Sequence, residues 1–206
     1  MNEKCSNVNL ARSNFSNANL EGADFRYKTI DYANFESSNL QFARFEGSTL
    51  VNANFKFCSL LGADFKDANL EYATLKCANL KYTNFLTSYL NYANFEGASL
   101  EGSRLDDCEL EIANFHSAKL IGAKMEGAKL NGADFSYADL RCADLGFANL
   151  QYTDLQDANL EGANLEGVNL EFVNLNNTKL NYARIRNAKI SPENLKYAIE
   201  NGAITR

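Results

Sequence analysis

The side chains able to do chemistry are few: one imidazole, His116, and five thiols, Cys5, Cys58, Cys77, Cys108 and Cys142. A zinc site needs Cys and His in short-range clusters, and neither a CxxC pair nor a His/Cys group occurs. A nucleophile needs a base within hydrogen-bond reach. His116 has no second His to support it, and Cys77 falls two turns away in the repeat described below, so a Cys/His or Ser/His couple gains little support. Glu101-Gly102-Ser103 and Glu161-Gly162-Ala163 read as corners rather than phosphate-cradling loops. The expectation is a non-enzyme with no catalytic residue, cofactor or metal.

What remains is surface. The chain has 26 Asp+Glu against 20 Lys+Arg, a net charge of −6, which argues against direct nucleic-acid binding. No apolar run is long enough for a spanning helix, so no membrane partner is expected. The first residues lack the apolar stretch of a signal peptide, and the odd cysteine count fits reduced thiols; both lead to a cytoplasmic expectation. Two groups of residues are candidates for binding a protein partner. One is an acidic belt, Asp134, Asp139, Asp144, Asp154, Asp157, Glu161, Glu166 and Glu171, interrupted only by Arg141 and followed by basic Lys179, Arg184, Arg186, Lys189 and Lys196. The other is a series of aromatics, Tyr32, Tyr72, Tyr92, Tyr152 and Phe172, separated by multiples of twenty with Ile112 between.

That spacing belongs to a stricter one. From residue 10 to residue 190, all 37 positions that are multiples of five hold Leu, Phe, Ile or Met. Two residues earlier stands Ala, Ser, Thr, Cys or Val every time except at Lys28. On an α-helix five residues advance the side chain by about 500°, which smears the large residues around the cylinder. On a straight strand an odd spacing alternates faces. A chain that bends once per quintet satisfies the pattern: small and large side chains face inward together and the other three residues form the corner. Phe at 15, 25, 35, 45, 55 and 65 alternates with Leu or Ile, which requires an even number of sides. The multiples of twenty select four sides and twenty residues per coil.

Quintets such as Ala18-Asn19-Leu20-Glu21-Gly22, Ala133-Asp134-Phe135-Ser136-Tyr137 and Ala163-Asn164-Leu165-Glu166-Gly167 resemble the A(D/N)LXX signature of pentapeptide-repeat proteins. The resemblance covers residue 8 to about residue 190 and implies an all-β solenoid, a right-handed quadrilateral parallel β-helix, as a repeat domain over residues 1–190. At four quintets per coil this gives about nine coils and a rod about 44 Å long. Asn14, Asn34, Asn54, Asn94, Asn114 and Asn174 are expected to stack, bonding to backbone and to one another. Gly22, Gly97 and Gly132 suit corners with positive φ. At Lys28 the wall is expected to distort and let the amine reach solvent. Residues 191–206 form a second unit: Ser191 as N-cap, Pro192 at the first helical position, Leu195, Ala198 and Ile199 at helical spacing, and Gly202 as the stop. This short α-helix either seals the last coil or pairs with a second copy. In topoisomerase-binding relatives such a helix is a dimer element, which implies a homodimer.

Two functions follow. The first is a non-enzymatic scaffold presenting flat faces to a protein partner. The second comes from the resemblance, since some members bind DNA gyrase or topoisomerase IV, mimic duplex DNA and protect against quinolones. A DNA segment of about 44 Å carries roughly 26 charges, far above the net −6 here, and only the 134–171 belt approaches a local mimic.

Overall fold

The computed structural model describes residues 9–205. Each quintet makes one side of a square coil, and parallel bridges join residue i to residue i+20, from Asn9↔Thr29 to Arg184↔Ile204. In chain order, the first wall carries Leu10, Ile30 and Leu50, and the second Phe15, Phe35 and Phe55. The third carries Leu20, Leu40 and Leu60, and the fourth Phe25, Phe45 and Phe65. Two residues of every quintet are spent on the turn, so most sides hold a single bridge rather than a strand. Among the described residues, paired strands appear only where β1 (Asn169–Leu170) meets β2 (Lys189–Ile190), in parallel.

The repeat exists because it satisfies the backbone almost completely, as a buried wall must. Around Phe15, the Phe15 N–H donates to Asn34 O of the next coil (2.7 Å) and the Asn17 N–H to Glu36 O (2.9 Å). The Ala18 N–H closes the turn onto Phe15 O (3.2 Å), and the Asn34 N–H donates back to Ser13 O (2.9 Å). The remaining N–H, that of Ser16, donates to Asn14 Oδ1 at 3.1 Å. Where Asn or Asp stands before the large residue, its side chain can thus accept from the one donor the ladder leaves over. Where Thr49 replaces Asn, the Val51 N–H donates instead to Asp31 Oδ1 of the preceding coil (2.9 Å). The amides also stack as expected, with Asn54 Nδ2 donating to Asn34 Oδ1 at 2.9 Å.

The second turn residue has positive φ in every quintet from Arg12 to Asn187, the signature of a type II turn. Gly22, Gly97 and Gly132 are among them, but so are Tyr32 (φ 58°) and Ile112 (φ 57°), side chains that this region disfavours. At most of the glycine corners, though not at Gly22 or Gly122, the side chain one coil earlier lies close. A Cβ on Gly47 would stand 2.7 Å from the Tyr27 ring.

Inside, the large side chains fill a single shaft, with Leu80, Leu100 and Leu120 fully buried. Phe rings on the second wall stack at 5.0 Å (Phe15–Phe35) and 4.8 Å (Phe35–Phe55), and on the fourth at 4.6 Å (Phe45–Phe65). They meet edge-on across the shaft, as Phe45 and Phe55 do at 5.8 Å, the geometry that aromatic quadrupoles favour. The wall does not distort at Lys28. Its N–H donates to Phe25 O (3.3 Å) and its carbonyl accepts from Thr49 N (2.9 Å), the ordinary pattern, while the side chain stays half-buried beside Asp24, Arg26 and Tyr27. Proximity to the open first coils makes distortion unnecessary.

After Ile190 the wall gives way to α1 (Pro192–Glu200). The Ser191 side chain accepts from the Asn194 N–H (3.2 Å), Pro192 opens the helix, and Gly202 follows its end at φ 84°. The unit that begins at 191 does not simply trail. Gly202–Ile204 rejoin the ladder, with Tyr182 N donating to Gly202 O and Ile185 N to Ile204 O, both at 2.9 Å. The helix replaces two sides of a coil while the twenty-residue register is kept. In a continued ladder the N–H groups of residues 194 and 199 would take the carbonyls of Val173 and Thr178. Instead, Asn194 Nδ2 takes Val173 O (3.0 Å) and the Tyr197 hydroxyl takes Thr178 O (3.2 Å). The helix covers the strand edge with side-chain donors in place of backbone ones.

Candidate interaction surface

The walls distribute the acidic belt around the rod. Asp134 and Asp154 are bridge partners on the second wall, with Asp157 at its corner. Asp139 lies on the third wall and Asp144 on the fourth, and Glu161, Glu166 and Glu171 sit at three different corners. Several of these acids have partners. Asp139 is gripped by Arg141 through both oxygens (2.8 and 2.7 Å), which holds its carboxyl below the usual range. Glu171 pairs with Lys189 at 2.7 Å and is lowered likewise. Glu166 reaches Arg186 at 3.9 Å. Asp144 and Asp154 accept from Asn164 and Asn174 of the next coil at 2.7 and 2.8 Å. Near the other end, Arg26 and Arg44 both hold Asp24, pulling its pKa down to about 2, with the Arg26 hydrogen bond as the largest cause.

The structure brings together a group that the spacing argument dismissed. His116 Nδ1 lies 2.8 Å from Ser136 Oγ, and the Ser136 hydroxyl donates to Asp134 Oδ1 at 2.6 Å. The signal was present, since 136 is 116 plus one coil. With the serine proton given to Asp134, Nδ1 must carry the hydrogen and donate. This order differs from a hydrolytic triad, in which the imidazole stands between acid and serine. Neighbouring donors are also occupied. The Ser136 N–H goes to Asp134 Oδ1 (2.8 Å), the His116 N–H to Asn114 Oδ1 (2.8 Å) and the Tyr137 N–H to Gln156 O (3.0 Å). No pair of free backbone donors is left here to stabilise an oxyanion. The chemistry available to the group is to tie two coils together.

The thiols divide by position. Cys58 and Cys108 sit in the small inward slot and donate to Phe35 O and Phe85 O at 2.9 Å. Burial pushes both thiols up, Cys108 to about 11. Cys77 and Cys142 are exposed corner residues above Gly97 and Gly162. Cys5 lies outside the described residues. Among the described residues no His/Cys/Asp/Glu group could hold a metal ion, and no helix is long and apolar enough to cross a membrane.

The aromatic series does share one corner, between the first and second walls, but as short stacks rather than one ladder. Tyr72 and Tyr92 stack at 4.8 Å and Tyr152 and Phe172 at 5.0 Å. Asn52 and Gly132 separate these stacks, and Tyr32 lies instead beneath the Arg12 guanidinium, 4.9 Å from its ring centroid. On α1, Ala198 is buried against the last coil and Leu195 is half-buried, whereas Ile199 is 52% exposed. A cleft between Phe172, Val173, Ile190 and Pro192 marks the junction of wall and helix.

Family models described as pentapeptide repeats match residues 4–27, 30–74 and, in overlapping segments, 68–191. Among solved structures, the chain is similar to HetL, a pentapeptide repeat protein involved in heterocyst differentiation regulation from the cyanobacterium Nostoc sp. strain PCC 7120. The identity is 30%, over 88% of this chain and 84% of that one, with a TM-score of 0.54. It also superimposes on a trypsin-treated form of QnrB1, a plasmid-mediated fluoroquinolone resistance protein, at a TM-score of 0.71. That match has 18% identity and covers 94% of each chain, a likeness of fold. No curated protein matches the sequence at a significant level.

Proposed function

The chain belongs to the pentapeptide-repeat family, and from that premise we propose that it is a non-enzymatic scaffold, a right-handed solenoid of about nine coils whose outer faces dock a protein partner. The observation that supports this most is how the reactive groups are used. His116 and Ser136 are committed to a bond between coils, Asp134 accepts from Ser136 within one coil, and Cys58 and Cys108 are buried in the shaft. What is left to act is an ordered exterior of flat polar walls and exposed aromatic corners. A cytoplasmic setting is proposed as well, and the odd cysteine count of the sequence is its support. Ile199, an apolar side chain of α1 that is 52% exposed, supports pairing of two copies through that helix. Light scattering on wild type and Ile199→Asp tests that pairing.

The scaffold reading is tested by purifying a partner captured from the host and reconstituting the complex from pure components. A complex at micromolar concentration that survives His116→Ala and Ser136→Ala is the expected result. Turnover of any substrate that those two substitutions abolish would overturn it. Mimicry of duplex DNA toward a type II topoisomerase has less support, because the eight acids encircle the rod instead of lining one wall. A supercoiling assay with and without ciprofloxacin discriminates: inhibition or protection that Asp134→Lys/Asp154→Lys/Asp157→Lys removes would favour mimicry.

A further inference from the structure

Resting on the scaffold reading, we propose that the corner strip Tyr72–Tyr92–Ile112 is a docking site for an arginine-bearing basic segment of a partner protein. Three successive coils present these side chains, 53%, 46% and 55% exposed, and Tyr89 on the adjoining first wall is 51% exposed. The turns do not account for them. Each residue stands at positive φ, where Asn or Gly serves with less strain, as Asn52 and Gly132 do at the two ends of the strip. The Tyr72 and Tyr92 rings also stack parallel, 3° apart with centroids 4.8 Å apart.

Charge selects the occupant. Glu71 and Glu111, immediately before Tyr72 and Ile112, have no ion-pair partner among the described residues. The positions facing the strip from the second wall, Thr74, Asn94 and Asn114, are neutral. Lys76 is engaged with Glu96 at 2.8 Å and Lys129 with Glu109, although Glu111 also acts on Lys129 electrostatically. The same corner shows how such a surface takes a guanidinium, since Arg12 lies 4.9 Å above the Tyr32 ring. In the corresponding place, one coil before the stacked Tyr72–Tyr92 pair, the chain supplies the short, neutral Asn52, so a cation over the Tyr72 ring must come from outside. Arginine suits it better than lysine, because a planar guanidinium stacks on a ring while its donors reach a carboxylate.

The probe is a fluorescein-labelled peptide of four Gly-Arg repeats, read by fluorescence anisotropy, with the Gly-Lys peptide as comparison. The arginine peptide should bind wild type several-fold more tightly than the lysine peptide. Tyr72→Asn/Tyr92→Asn, which keeps residues suited to the turn, should weaken binding about tenfold. Glu71→Gln/Glu111→Gln should weaken it about threefold and flatten its salt dependence. Asp157→Asn/Glu161→Gln, at other corners, should leave it unchanged. Equal affinity of the natively folded tyrosine variant, or loss that follows total charge alone, overturns the proposal. A reconstituted partner that binds the tyrosine variant normally would sink this strip and leave the scaffold standing, whereas absence of any partner complex sinks the scaffold first.

Discussion

The coils up to Phe95 and those beyond Phe135 share one backbone and differ in filling. In the earlier region opposed Phe ladders stack along the second and fourth walls. In the later one Leu145, Leu155, Leu165, Leu175 and Ile185 take the same places. The wall hydrogen bonds scarcely notice, at 2.7 Å for Phe35 N to Asn54 O and 3.0 Å for Leu155 N to Asn174 O. The ends differ more. Leu10, Phe15 and Leu20 are half-buried, while Leu180 and Ile185 beneath α1 are 2% and 4% exposed. The coil is therefore set by backbone satisfaction, and the filling adjusts how firmly each stretch is held. In a quasi-one-dimensional fold that firmness is local.

Truncating the filling should give the largest effect. Phe55→Ala should cost about 3–5 kcal/mol and Leu155→Ala about 2–5 kcal/mol, read from denaturant midpoints. A consistently larger loss at Leu155 would break the idea that stacked rings hold the earlier coils more firmly. The thiols sharpen the contrast between shaft and corner. In a Cys5→Ser background, Cys77 and Cys142 should react readily with an aromatic disulfide reagent at pH 8. Cys58 and Cys108 should stay silent until the chain unfolds, because burial raises both thiols, Cys108 to about 11. Removing the cap with Ser191→Ala should cost about 1 kcal/mol. Faster amide exchange should then appear around Ala183 and Ile204 while the Phe coils stay protected. The smallest effect is electrostatic. The folded pKa of Asp24 is about 2, below an unfolded value near 3.9. Its contribution is therefore complete above about pH 4 and is lost as the pH falls through 2. Asp24 is 41% exposed, so the contribution is on the order of 0–1 kcal/mol. Carboxyl titration by NMR should show the pKa rise in Arg26→Gln.

Much of the fold was legible because one constraint repeats without interruption. An inward large residue at every fifth position, with a small one two before it, admits only a bend per quintet, and the multiples of twenty count the sides. The helix was equally readable from Ser191, Pro192 and Gly202. Individual surface groups were harder. His116, Ser136 and Asp134 meet only because the coil closes, and the dismissal of a Ser/His contact came from looking for neighbours two turns away instead of one. Lys28 was expected to distort the wall because its half-buried place near the open end was not visible in its spacing.

By itself the sequence determined the register, the buried rows, the four-sided coil and the corner that carries each outward residue. These follow from side-chain period and volume, which are properties of the chain. Only the tertiary structure decided which outward charges are paired, that the acids ring the rod, that the tyrosines stack in short runs, and that α1 returns the chain to its ladder. Those outcomes depend on the few ångströms between rotamers on successive coils, a distance that spacing along a chain does not encode.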